Sequence, residues 1–117
     1  MTDDEWAMRL DHELDEIILS WYSKMRIQAS TRKGKRFMAT YVNGKVVHFG
    51  SSVGKSYIDH GDKAKRKAYL ERHEPRENWN DPFSPGSLSR YLLWGESTSL
   101  DANHQAFMRR FPQTNLK

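Results

Sequence analysis

The sequence has no cysteine, little glycine and proline, and no long apolar run. Without cysteine the chain cannot form a disulfide, which favours a reducing compartment. Mean hydropathy is -0.88, and no segment approaches the roughly 20 apolar residues that cross a bilayer. The first charged residues are the acids Asp3, Asp4 and Glu5, whereas a secretory signal peptide begins with basic residues. We therefore expect a soluble protein without a signal peptide or membrane span.

Charge is spread unevenly along the 117 residues. Residues 1–24 carry seven acidic and two basic side chains, a net charge of −5, whereas residues 25–117 carry 17 basic and eight acidic ones, a net charge of +9. A basic body with an acidic arm favours an anionic partner or association between unlike surfaces. We therefore divide the chain into an amphipathic arm, residues 1–24, and a compact α+β domain, residues 25–117.

The arm is predicted to be a helix over about residues 3–24. Its start is marked by a capping box, and one apolar stripe follows at three- and four-residue spacing. The stripe is longer than a short sheet covers, so residues 2–10 are expected to contact another protein chain. Docking on the protein's own core is the alternative. The predicted partner-binding residues are Asp3, Asp4, Glu5, Trp6 and Leu10.

A three-stranded antiparallel β-meander is predicted next, over Met25–Thr31, Arg36–Val42 and Lys45–Phe49. Asn43-Gly44 is a strong signal for a two-residue hairpin turn. With that turn, Tyr41 lies opposite Val46 and Ala39 opposite His48, while Thr40 faces Val47 and Met38 faces Phe49 on the other side. Both sheet faces would then be partly apolar, and the second face would accept a helix or another chain.

About three helices are expected after the meander, which makes the fold class α+β. The first is Lys63–Glu74, capped by Asp59 or Asp62 and ended by Pro75. Ser87–Trp94 is a short apolar helix. The last helix runs from a cap at Thr98 or Ser99 to about Arg110, with Leu100, Phe107 and Phe111 facing inward.

The stretch GSSVGKS at residues 50–56 resembles a phosphate-binding P-loop but has only three residues between Gly50 and Gly54, where the motif needs four. The following helix is expected to begin late, after Asp59 or Asp62. An acidic cap there would repel phosphate. The chain is also too short for several βαβ units. We therefore exclude a P-loop NTPase.

Several short blocks follow one another in order between residues 36 and 100. The blocks are Val47-x-Phe49-Gly50, Tyr57-x-x-His60-x-Asp62, Lys65-Arg66-Lys67, Tyr69-x-x-Arg72-His73, Glu77-Asn78-Trp79, Gly86-x-x-Ser89-Arg90-Tyr91-Leu92-Leu93-Trp94 and Thr98. Together they resemble a family of short, basic, uncharacterised proteins of large double-stranded DNA viruses, of the nucleocytoplasmic type that infects algae and protists. Ser56 departs from the pattern, which usually has Asp there, and Leu88 and Tyr91 stand where it usually has Trp. The resemblance implies a viral origin and no established activity.

Residues suited to metal or nuclease chemistry are sparse. They are His60, Asp62, His73, Glu74 and Glu77. Asp62 and His73 fall at opposite ends of one predicted helix, roughly 16 Å apart, so they cannot share a metal. The sequence predicts no enzyme, catalytic site, metal, cofactor or small-molecule substrate. A small nuclease built on His60 and His73 is the minority alternative.

Two functions compete. The first is a viral structural protein, a minor capsid or cement component that contacts other virion proteins and is made in the host cytoplasm or nucleus. The second is a nucleic-acid-binding protein without sequence preference. The aromatic residues Tyr69, Trp79, Tyr91 and Trp94 are expected in the core in either case. The predicted basic contact patch is Arg32, Lys33, Lys35, Arg36, Lys63, Lys65, Arg66 and Lys67.

Overall fold

The computed structural model describes residues 24–115. Three strands come first and short helices follow, so the predicted α+β class with a three-stranded antiparallel meander is confirmed. The predicted arm helix lies outside the described residues, except for Lys24. The elements are β1 Arg26–Ala29, β2 Lys35–Thr40, β3 Val46–Ser51, α1 Tyr57–His60, α2 Lys63–His73, a 3-10 turn Glu74–Arg76, α3 Pro85–Leu88, a π-helical stretch Ser89–Leu93, α4 Leu100–Arg110 and a 3-10 turn Pro112–Asn115.

The hairpin between β2 and β3 closes with a three-residue loop. Tyr41 N–H donates to the Lys45 carbonyl at 2.9 Å, and Gly44 N–H donates to the Tyr41 carbonyl at 2.9 Å. Gly44 has φ +88°, whereas Asn43 has a negative φ. A two-residue type I′ turn needs positive φ at both central residues, so the predicted two-residue turn is wrong. A type I turn followed by a left-handed glycine forms instead.

The extra loop residue shifts the predicted pairing by one. Ala39 lies opposite Val47 and Phe37 opposite Phe49. Because side chains alternate between faces, a one-residue shift moves a strand's apolar set to the other face. The larger apolar side chains are thereby gathered on one inner face: Ile27, Phe37, Ala39, Tyr41, Val47 and Phe49.

The outer face of the sheet is consequently mostly polar, and of the partly apolar second face that was predicted it keeps only Met38 and Val46. Its residues are Arg26, Gln28, Met38, Thr40, Val46 and His48. Val46 is 46% exposed, and His48 Nδ1 hydrogen-bonds Ser30 Oγ at 2.7 Å. The sheet therefore gives no reason to expect a protein partner on its outer face.

The helix boundaries follow the capping signals in the sequence. Asp62 Oδ1 accepts from the Ala64 and Lys65 N–H groups at 3.0 and 3.2 Å, and α2 ends one residue before its predicted end. Ser99 Oγ accepts from the Ala102 N–H at 3.1 Å and starts α4. Side-chain oxygens at these positions satisfy N–H groups that have no partner within the helix.

The core lies between the inner sheet face and the C-terminal helices. Phe49, Leu88, Leu92 and Phe107 are almost fully buried within it. Phe107 and Phe111 point inward as predicted, and Leu100 packs against the same cluster. The predicted helix over 87–94 is instead a short α-helical turn that widens into the π-helical stretch. Within residues 24–115 no helix has the length and apolarity needed to span a membrane.

Candidate functional site

Three aromatic rings stack face to face beside the sheet, and we call them the ring column: His73, Tyr69 and Trp94. The rings of Tyr69 and His73 lie 4.1 Å apart at 24°, and those of Tyr69 and Trp94 lie 4.3 Å apart at 5°. Tyr69 and His73 meet because residues four apart share one face of α2. Burial raises the pKa of the Tyr69 phenol to about 12, so it stays neutral at physiological pH.

Glu77 fixes the His73 end of the ring column. One carboxylate oxygen lies 2.9 Å from His73 Nδ1, and the other accepts from Trp79 Nε1 at 2.7 Å. Gly86 packs so closely that a Cβ at that position would lie 2.8 Å from the Glu77 carboxylate. Both oxygens are thus engaged, and the imidazole is held in one orientation.

Trp94, at the opposite end, is held through its backbone. Arg66 Nε donates to the carbonyls of Trp94 and Gly95 at 3.0 and 2.9 Å. The buried Asn103 donates from Nδ2 to Leu92 and Ser97 carbonyls at 3.0 and 2.8 Å. These bonds fix the loop that follows the π-helical stretch and so fix the ring.

The GSSVGKS segment, residues 50–56, faces the ring column. Its helix α1 begins directly after Ser56, so the prediction of a late helix start is wrong. The cause is local: Ser56 N–H and Ser56 Oγ both donate to Asp59 Oδ2, at 2.8 and 3.1 Å. A carboxylate therefore occupies the N-terminus of this four-residue helix, where a P-loop would hold phosphate.

Arg36 closes this segment against the sheet. Its guanidinium donates to both Asp59 oxygens, at 2.6 and 2.7 Å, and holds the pKa of that carboxyl far below its usual range. It also lies over the Phe37 ring at 5.0 Å. Arg36 thus serves the fold, not a partner.

Two adjoining clefts meet at Trp94 of the ring column and share Lys55 as well. One, of about 410 Å³, lies between the ring column and residues 50–56; the other, of about 420 Å³, lies beside α2 and His60. Exposed basic side chains line both clefts, and none of them forms an ion pair within residues 24–115. We call the two clefts together the basic groove, with the cations Lys35, Lys55, Lys65 and Arg72.

The predicted basic patch is divided by the fold. Lys35 and Lys65 line the basic groove. Arg36 also lines its first cleft but is paired with Asp59, and Arg66 donates to backbone carbonyls. The other members are exposed and line neither cleft; Lys67 Nζ lies 3.9 Å from a Glu71 oxygen. Those other members are Arg32, Lys33, Lys63 and Lys67.

Sequence reasoning missed two cations of the basic groove. Lys55 was considered only as part of the rejected P-loop. Arg72 falls seven residues after Lys65, which places both on one face of α2. That helical spacing was the available signal. Of the aromatics expected in the core, Tyr69 is buried, while Trp79, Tyr91 and Trp94 are only half-buried.

The two histidines weighed for nuclease chemistry do not converge. His60 meets Trp94 edge-on at 5.5 Å, while His73 contacts Tyr69 at the other end of the ring column. Among the described residues, no three acidic or histidine side chains are grouped to hold a metal. The absence of an enzyme site stays a prediction. The partner-binding residues Asp3, Asp4, Glu5, Trp6 and Leu10 lie outside the described residues.

A model described as a family of unknown function, DUF5754, matches residues 25–73. No curated protein and no solved structure matches the chain. The matched segment supplies the four groove cations together with Tyr69 and His73, whereas Glu77 and Trp94 follow it. The viral origin implied by the sequence resemblance stays a prediction.

Proposed function

We propose that the chain is a nucleic-acid-binding protein that holds the sugar–phosphate backbone in the basic groove without sequence preference. The observation that carries the proposal is the placement of Lys35, Lys55, Lys65 and Arg72 along a wall of aromatic rings. Cations beside exposed or half-exposed rings are the combination that binds single strands and phosphate backbones.

The groove's electrostatics support an anionic ligand. Glu77 lines the cleft of about 410 Å³, and both of its carboxylate oxygens are already engaged by His73 and Trp79. Residues 24–115 carry 17 basic and eight acidic side chains, a net charge of +9. The surrounding field therefore attracts a polyanion toward the groove.

Flexible cations favour contact with the phosphate backbone over contact with base edges. Lys35, Lys55 and Lys65 are exposed, and no neighbouring side chain within the described residues fixes their ammonium groups. Sequence-independent binding is the mode that such a surface supports.

A viral structural role, as a minor capsid or cement protein, is the second candidate. It rests on the sequence resemblance and on the difference in net charge between the acidic residues 1–24 and the basic residues 25–117. One argument for this role was a second sheet face apolar enough to accept another chain, and the mostly polar outer face weakens that argument. We therefore rank it below nucleic-acid binding.

The test is a fluorescence anisotropy titration of the full chain with a labelled oligonucleotide of about 12 nucleotides at several salt concentrations. The test variant combines Lys55→Ala, Lys65→Ala and Arg72→Ala. The control removes the same charge outside both clefts with Lys33→Ala, Lys45→Ala and Arg109→Ala.

The plot of log K against log salt has a negative slope, and each lost phosphate contact makes it shallower by about 0.7 for a single strand. The slope of the groove variant should therefore be shallower than that of wild type by about 2, and the variant should bind at least about tenfold more weakly at low salt. The control should stay close to wild type. Equal weakening of both variants, or no salt-dependent binding by wild type, would overturn the proposal.

A further inference from the structure

His73 is the last ring of the ring column. One face of its imidazole stacks on Tyr69 at 4.1 Å, and Nδ1 is occupied by Glu77. The side chain is nevertheless 39% exposed. Among residues 24–115 no second ring stacks on His73, so the opposite face of the imidazole has no stacking partner there. An open aromatic face at the end of a stack is where a further ring adds.

This open face is held rigidly before any ligand arrives. Glu77 is fixed by Trp79 and by the close approach of Gly86, and it in turn orients His73. Tyr69 is clamped between two rings and is buried. A side chain that is already ordered loses little conformational entropy when a ligand stacks on it.

His73 also lines the same cleft as two groove cations. The cleft of about 410 Å³ is bounded by Lys35 and Lys55 as well as by the ring column, and its size is within the range of sites for small ligands. A ring stacked on His73 would thus have cations within the same cleft for the phosphates that flank it. Base stacking beside a cationic track is how proteins bind single strands.

We propose that His73 stacks an unpaired nucleobase, which makes the basic groove selective for single-stranded over double-stranded nucleic acid. The inference rests on the proposed function. In a duplex the bases are stacked on their neighbours and paired, so their faces are not available to His73. Every base has an aromatic face, so the stacking adds strand selectivity without sequence preference.

The experiment measures binding of the full chain to a single-stranded oligothymidine and to a duplex hairpin with the same number of phosphates. His73→Ala removes the ring, and His73→Phe keeps a stacking face without the Glu77 contact. His73→Ala should weaken single-strand binding by about 5- to 150-fold and leave duplex binding unchanged. His73→Phe should restore most of the loss. An oligonucleotide of abasic sites should bind wild type and His73→Ala equally.

The outcomes separate this inference from the proposed function. If the groove-cation variant loses binding but His73→Ala binds single strands like wild type, the groove stands and the stacking inference is wrong. Equal losses on single-stranded, duplex and abasic ligands would also overturn it, since they indicate a change of fold or charge. If no ligand binds with salt dependence, both proposals fail.

Discussion

At the scale of single residues, arginine and lysine have different roles in this chain although the sequence places them side by side. Arg36 and Arg66 turn inward, because the guanidinium fork can satisfy two acceptors at once. Their neighbours Lys35 and Lys65 stay exposed on the groove. Only part of a run of basic residues therefore forms a binding surface. The arginines in such a run are the first candidates for hydrogen bonds that stabilise the fold.

The Arg36–Asp59 ion pair yields a prediction on acid stability. The pKa of Asp59 is lowered mainly by its hydrogen bond to Arg36, so the ionised form stabilises the fold. That stability is fully present above the unfolded pKa of about 3.9 and is lost as the pH falls below it toward the lower folded pKa. Asp59→Asn should lose about 1 kcal/mol at neutral pH, given partial solvent screening.

Urea unfolding from pH 7 down to about pH 3 checks this. The free energy of unfolding of wild type should fall more steeply below about pH 4 than that of Asp59→Asn. Glu71→Gln is the matched control, because its contact with Lys67 is long and exposed. A loss in Asp59→Asn no larger than in Glu71→Gln would show that the ion pair contributes nothing.

At the scale of elements, local capping signals predicted where α2 and α4 begin, whereas the start of α1, the sheet register and the π-helical stretch escaped prediction. Asp62 and Ser99 act within three residues of themselves, so the sequence could name each as one of two candidate caps, beside Asp59 and Thr98. The hairpin loop is different, since Asn43-Gly44 suits both a two-residue and a three-residue turn. The π-helical stretch depends on contacts with α4 and the sheet that no local pattern records.

The three-residue loop predicts unequal roles for its two turn residues. Gly44 has φ +88° with open space around a Cβ, so Gly44→Ala should cost about 1 kcal/mol from backbone strain alone. Asn43 has a negative φ, so Asn43→Ala should cost about 0.5 kcal/mol or less, from its exposed side-chain bond to Lys45 N–H. Chemical denaturation measures both. If the two variants lost equal free energy of unfolding, the result would favour the two-residue type I′ turn and the strand pairing predicted from the sequence.

At the scale of the whole molecule, the basic groove is assembled from segments far apart in sequence. Lys35 comes from β2, Lys55 from the loop after β3, Lys65 and Arg72 from α2, and Trp94 from the end of the π-helical stretch. Most of the elements and part of the basic groove could be predicted from the sequence. The ring column could not be predicted, since the stacking of Tyr69 on Trp94 depends on how α2 packs against a segment 25 residues later.

The measurement that tests the account most directly is an NMR titration of the full, isotope-labelled chain with an oligothymidine of about 12 nucleotides. The backbone amide shifts of Lys55, Lys65, Arg72 and His73 should change. The shift of the side-chain indole N–H of Trp94 should change as well. Amides of α4 and of the outer sheet face should change little. Shifts confined to those other surfaces, or no shifts at an oligonucleotide excess, would contradict nucleic-acid binding in the basic groove.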